Sequence, residues 1–119
     1  ERKSEEENKS VKIDVLTCAA PNYYGAGRQG ISYEENTKAL ASRIKFMYDI
    51  AEDNSVDTLI LGAWGCGVFR QDAYIVAELL INEAVGRSFN KVIFAVPKSN
   101  TNNNYYYFSQ VLGAYNSNL

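Results

Sequence analysis

The chain has 119 residues, 46% of them apolar, a net charge of −2 and no histidine. That length suits one small domain or part of a larger one, with enough apolar side chains for a packed core. The charge balance argues against nucleic acid and membrane surfaces as partners, and the missing histidine excludes His-based triads and His-ligated zinc, leaving Asp, Glu, Lys, Tyr or Cys for any acid–base role.

Residues 1–10 are charged and polar and read as a disordered tail or linker. They do not resemble a signal peptide. Val11–Ala20 begins with alternation and ends apolar, which predicts a strand stopped by Pro21. Asn22, Gly25, Gly27 and Gly30 predict a loop over residues 22–31. Ser32 and Glu35 have capping-box spacing and open a helix, whose apolar stripe is Leu40, Ile44, Met47 and Ala51. Asp53-Asn54-Ser55 ends it.

Asp57–Ala63 is a short apolar run that predicts a strand buried on both faces. A glycine-rich loop, Gly62–Gln71, follows. Asp72 then caps a helix carrying Ile75, Val76, Leu79, Leu80 and Val85, with Gly86 at its end. Lys91–Val96 predicts a third strand, stopped by Pro97. Asn100–Asn104 reads as a polar loop and Tyr105–Tyr115 as a short helix, with two of its four leading aromatics expected inward.

Strands alternating with helices predict an α/β fold with a parallel sheet. Three strands make a narrow sheet with unpaired edges, which invite association. The expectation is that something else completes it: an upstream half, a partner chain or a second copy. No stretch approaches the ~20 apolar residues of a membrane span. The two cysteines, Cys18 and Cys66, show no metal-site or disulfide spacing. They fit a reducing, intracellular compartment, cytoplasmic or nuclear. No cofactor and no metal is expected.

The segment with chemical content is Gly62-Ala63-Trp64-Gly65-Cys66-Gly67-Val68-Phe69, at the carboxyl end of a predicted strand, where open α/β sheets bind ligands. Glycines permit positive φ and close backbone approach. Successive N–H groups can form an anion nest, and the next helix N-terminus adds partial positive charge. A diphosphate suits such a loop; a tight connection with no ligand is the alternative. The segment is neither a Walker loop nor the dinucleotide fingerprint. Cys66, beside a helix N-terminus, is a candidate nucleophile or a packed loop residue. Trp64 and Phe69 are candidates for stacking on a ligand, and Arg28 and Arg70 for phosphate contacts. Glu34 and Glu35 fit helix capping better than acid catalysis.

Cys18-Ala19-Ala20-Pro21-Asn22, Leu59–Phe69 and Val92–Val96 together closely resemble the C-terminal half of the microbial-type poly(ADP-ribose) glycohydrolase family. The resemblance covers roughly residues 11–112. It implies a macrodomain-like, three-layer α/β/α sandwich, a hydrolase fold that binds ADP-ribose or ADP-ribosylated protein, with residues 11–119 forming a C-terminal portion of it. It also implies that Gly62–Phe69 wraps the diphosphate and distal ribose, that Asn22 lies near the cleft, and that Asn103–Phe108 falls on the adenosine side, making Asn103 and Phe108 candidate ligand contacts. The family's catalytic signature, a glycine run followed by Gln-Glu-Glu, is not in this sequence. Glu5-Glu6-Glu7 lacks the glycine run, so no catalytic residue is assigned. The resemblance therefore implies either a glycohydrolase portion whose carboxylate comes from elsewhere, or a non-catalytic ADP-ribose-binding or interaction module that assembles with a partner or itself.

Overall fold

A computed structural model describes Ser10 and residues 12–117. Apart from Ser10, the expected charged tail lies outside the described residues. The elements run α1 (Tyr23–Arg28), α2 (Tyr33–Asp53), β1 (Thr58–Leu61), α3 (Ala73–Val85), β2 (Lys91–Phe94) and α4 (Asn104–Ser117). β1 and β2 pair in parallel, with Thr58 opposite Lys91 and Leu61 opposite Phe94. The α/β fold with a parallel sheet is thus present, in partial form.

The helix boundaries follow from local chemistry. Ser32 caps α2: its Oγ accepts the Glu35 N–H at 3.1 Å and donates to the Glu35 carboxylate at 3.3 Å. Asp72 caps α3, its carboxylate accepting from Tyr74 N at 2.8 Å and Ile75 N at 3.4 Å. Each cap satisfies N–H groups that the first helical turn leaves without carbonyl partners. Gly86 closes α3 at φ −87°, a conformation open to any residue.

The core is the seam between these helices and one face of the sheet. Leu40, Ile44, Met47 and Tyr48 of α2 meet Val76, Ala77 and Leu80 of α3, with Phe108 of α4 and Val96 closing the cluster. All four residues of the expected α2 stripe are buried. The Tyr48 hydroxyl donates to the Leu80 carbonyl at 2.6 Å, which joins α2 to α3 through the middle of the core. Burial pushes the Tyr48 phenol well above its ordinary pKa, with Glu83 adding to the rise. At the rim, Arg87 binds Asp49 at 2.6 Å, Glu52 at 2.8 Å and Glu83 at 3.4 Å. Hydrogen bonds from Arg87 hold the Asp49 and Glu52 carboxylates below their usual range.

Three expectations require correction. The strand expected over Val11–Ala20 is absent from residues 12–20, where no ladder forms. Strand propensity needs a neighbour of matching register, and none is supplied there. Residues 22–31 are not all loop: α1 occupies Tyr23–Arg28, started by Asn22, whose Oδ1 accepts the Gly25 N–H at 2.9 Å. The Asp57–Ala63 strand is not buried on both faces. Leu59 and Leu61 pack toward the core, but Ile60 is 65% exposed and its register partner Ile93 is 37% exposed. Of an α/β/α sandwich, the described residues show the sheet and a helical layer over one face. No helix among them is long and apolar enough to cross a membrane.

Candidate functional site

The loop Gly62–Gln71 leaves the carboxyl end of β1 and enters α3. Its backbone folds on itself. Trp64 N–H donates to the Gly62 carbonyl at 2.9 Å, Cys66 to Ala63 at 3.2 Å, Arg70 to Gly67 at 3.0 Å and Gln71 to Gly65 at 2.9 Å. Among the described residues, the N–H groups of Gly65, Gly67, Val68 and Phe69 have no protein acceptor. Val68 is 88% exposed. Three successive amides without partners among the described residues, at the exposed Gly67–Val68 turn, are what an oxygen-rich anion needs.

The glycines divide by role. Gly65 has φ +77°, and a Cβ there would sit 2.7 Å from the Ala20 Cβ and 3.0 Å from the Gln71 Cγ. Only glycine fits both the conformation and the space. Gly67 has ordinary φ, and a Cβ would meet nothing within 4 Å. The fold does not explain Gly67, whereas close approach of a ligand would. A Cβ on Gly62 would reach only ordinary contact, 3.8 Å from the Ala95 carbonyl.

The side chains of the loop mostly face protein. Trp64 Nε1 donates to the Cys18 carbonyl at 2.8 Å, so its ring serves as a half-buried wedge. Ala63, Trp64 and Cys66 pack against the core cluster. Burial, reinforced by the nearby negative charge of Asp72, pushes the Cys66 thiol up to about 11. A thiol neutral at physiological pH is a poor nucleophile, which argues for the packing role. The α3 N-terminus is already capped by the Asp72 carboxylate, so its partial positive charge is largely offset, and the loop amides are left as the anion donors.

Residues 18–21 run alongside this loop, and side chains take the place of a ladder there. Trp64 holds the Cys18 carbonyl, Arg43 Nη1 holds the Ala19 carbonyl at 2.9 Å, and Gln71 Nε2 holds the Pro21 carbonyl at 2.7 Å. Sequence patterning does not single out Gln71 or Arg43, because neither belongs to a local motif. Asn22 sits at the start of α1 and spends its Oδ1 on the Gly25 amide. α1 meets the far end of the loop. Tyr24 N–H donates to the Phe69 carbonyl at 3.3 Å, and the Arg70 guanidinium lies 4.8 Å over the Tyr24 ring. Arg70 has φ +55°, an uncommon conformation for a side-chain-bearing residue. Phe69 itself is half-buried.

The second candidate region is separate. Asn103 lies with Lys98, Ser99, Asn100, Asn102, Tyr105 and Tyr106 around an open groove. Asn103 also accepts the Tyr107 N–H through its carbonyl, at 3.0 Å, in the first turn of α4. Phe108 is 4% exposed and packs on Phe94, so it is a core residue with no ring face at the surface. Of the aromatic run, Phe108 alone turns inward; Tyr105, Tyr106 and Tyr107 are exposed. The expectation of two inward aromatics fails: the next ring, Tyr107, packs edge-on against Tyr74 of α3 at the edge of the seam and stays 37% exposed.

No protein-family model matches the chain, and no curated protein does. Solved structures do. Poly(ADP-ribose) glycohydrolase from Deinococcus radiodurans in complex with ADP-ribose superposes with a TM-score of 0.69 at 30% identity, over 80% of this chain and 40% of that one. A second complex with ADP-ribose gives 0.68 at 33% identity. The apo form gives 0.69 at 30% identity, over 80% of this chain and 41% of that one. The resemblance to bacterial poly(ADP-ribose) glycohydrolase, expected from the residues, holds in three dimensions. The chain spans about two-fifths of the length of the protein it matches.

Proposed function

We propose that this chain is the diphosphate-binding portion of a poly(ADP-ribose) glycohydrolase-like, macrodomain-like domain, and that it recognises ADP-ribose, free or attached to protein. The observation that carries the reading is the set of amides at Gly65, Gly67, Val68 and Phe69, without acceptors among the described residues and set at the carboxyl end of β1. The likeness to a protein crystallised with ADP-ribose supports it.

In this reading the phosphate oxygens accept from Gly67, Val68 and Phe69, and the missing Cβ of Gly67 lets the diphosphate reach the backbone. Asn103 and the groove around it lie on the adenosine side. Phe108 acts behind that groove as a packing residue. No group in this chain is placed as the acid of glycosidic cleavage, so hydrolysis needs a carboxylate from an upstream segment or a partner. The uncovered sheet face, with Ile60 and Ile93 side by side, fits such an incomplete unit. An intracellular setting, cytoplasmic or nuclear, goes with the free thiols of Cys18 and Cys66.

Calorimetric titration with ADP-ribose, with AMP and ribose 5-phosphate as controls, tests the reading. Saturable binding selective for ADP-ribose is expected. Gly67→Val should leave the melting temperature unchanged and abolish that binding. An unaltered affinity in this variant would remove the loop as the phosphate site. A non-catalytic binding module is separated from a glycohydrolase portion by adding an upstream segment carrying the glycine run and Gln-Glu-Glu: only the second acquires hydrolysis.

A further inference from the structure

We propose that Asn36 and Gln71 form a positioning pair that sets the backbone of the glycine-rich loop for its ligand. The two side chains are 4% and 5% exposed. Their amides bind each other twice: Asn36 Nδ2 donates to Gln71 Oε1 at 3.0 Å, and Gln71 Nε2 donates to Asn36 Oδ1 at 2.9 Å. A buried amide is costly unless its partners are supplied, and this pair supplies them reciprocally. Two apolar side chains would fill the same space with no such requirement. What the amides add is direction.

That direction converges on the loop. Gln71 N–H donates to the Gly65 carbonyl at 2.9 Å, closing the segment from 65 to 71 into a ring. The Gln71 Cγ packs against Gly65 where a Cβ would stand at 3.0 Å. The Gln71 Nε2 also donates to the Pro21 carbonyl at 2.7 Å, binding the 18–21 segment to the same point. Between Gly65 and Gln71 are strung the amides of Gly67, Val68 and Phe69 that lack acceptors among the described residues. Asn36 stands near the start of α2, a helix of 21 residues, so the rotamer of Gln71 is set from a rigid element. A hydrogen-bonding loop held within a fraction of an ångström by buried partners is preorganised for an anion. This positioning role rests on the proposed reading of the loop as the ADP-ribose site.

The test uses the full 119-residue chain and reads two things: affinity for ADP-ribose, and hydrogen exchange of the Arg70 and Gln71 amides. Asn36→Leu should raise Kd at least tenfold at a temperature where the variant is fully folded, and should speed exchange at both amides. Leu80→Ala, in the core and outside the Asn36–Gln71 pair, should lower the melting temperature at least as much yet leave Kd within twofold. Asn36→Gln combined with Gln71→Asn, which restores a reciprocal amide pair, should recover part of the affinity. Asn36→Ala, which removes the amide without adding bulk or charge, gives the same reading if Asn36→Leu does not fold. Wild-type Kd and exchange in folded Asn36→Leu, or an equal loss of affinity in Leu80→Ala, would overturn the proposal. If the wild-type chain binds no ADP-ribose, the nucleotide reading fails separately, and the exchange comparison alone decides whether the pair holds the loop.

Discussion

The two faces of the sheet carry similar side chains and meet different fates. Leu59, Leu61 and Phe94 pack under helices, while Ile60 and Ile93, one residue along, stand open. Hydrophobicity marks a strand residue as suited to burial; it does not provide the layer that buries it. The covered face is stable because α2, α3 and α4 close over it. The open face, together with the exposed Ile13 and Val15, is apolar surface for which the described residues have no cover. Such surface marks either an interaction site or an aggregation hazard.

Mutations can break this contrast. The largest effect is expected at Leu80, which is fully buried. Leu80→Ala should cost about 2–5 kcal/mol in a denaturant titration, whereas Ile60→Ala should stay within about 0.5 kcal/mol. Equal losses would mean that the sheet is covered on both sides in solution, by a partner or a second copy. Next comes Gly65→Val. It forces a Cβ into the Ala20 contact at a positive φ and should cost about 1–3 kcal/mol. Its contrast with Gly67→Val, which should be silent in stability and decisive in binding, separates fold from ligand within one loop.

Tyr48→Phe removes the bond to the Leu80 carbonyl and should cost about 1 kcal/mol. A smaller effect is expected at the rim. Asp49 and Glu52 are held below the ordinary carboxylate range by Arg87. Their contribution is therefore present above the unfolded-state pKa of about 4 and fades as pH falls through the lower folded values. Arg87→Met should flatten that acid limb of the stability profile by lowering stability modestly at pH 7, where both carboxylates are ionised, while changing little once they are protonated in acid. Last, in a Cys18→Ser background, the alkylation rate of Cys66 should keep rising with pH up to about 11. A plateau near pH 8 would place Cys66 in a different environment and reopen it as a nucleophile.

Much of the fold is legible in the sequence because its signals are local. Ser32 and Asp72 announce helix starts by the hydroxyl and carboxylate they offer to nearby amides. The α2 stripe follows from helical spacing alone. β1 and β2 lie within two residues of their expected ends, since both are short apolar runs bounded by turns. α1 is not legible, because Tyr-Tyr-Gly-Ala-Gly-Arg has poor helix propensity. Its first turn is held instead by the Phe69 carbonyl, more than forty residues away. The glycine-rich loop is legible as a segment. The division of labour inside it is not: Gly65 is required by Ala20 and Gln71, Gly67 by nothing in the fold.

By itself, the sequence determined the helix caps, the apolar stripe, the parallel α/β order and the loop's amide-rich composition, all of which depend on neighbours within a few positions. Tertiary structure alone decided the rest. It sent Phe108 inward and its tyrosine neighbours outward, matched Gln71 to Asn36 across 35 positions, neutralised Cys66 by burial and left residues 12–20 without a ladder despite their strand-like pattern. These outcomes depend on which surfaces meet, and a strand or ring without a meeting surface stays exposed whatever its propensity.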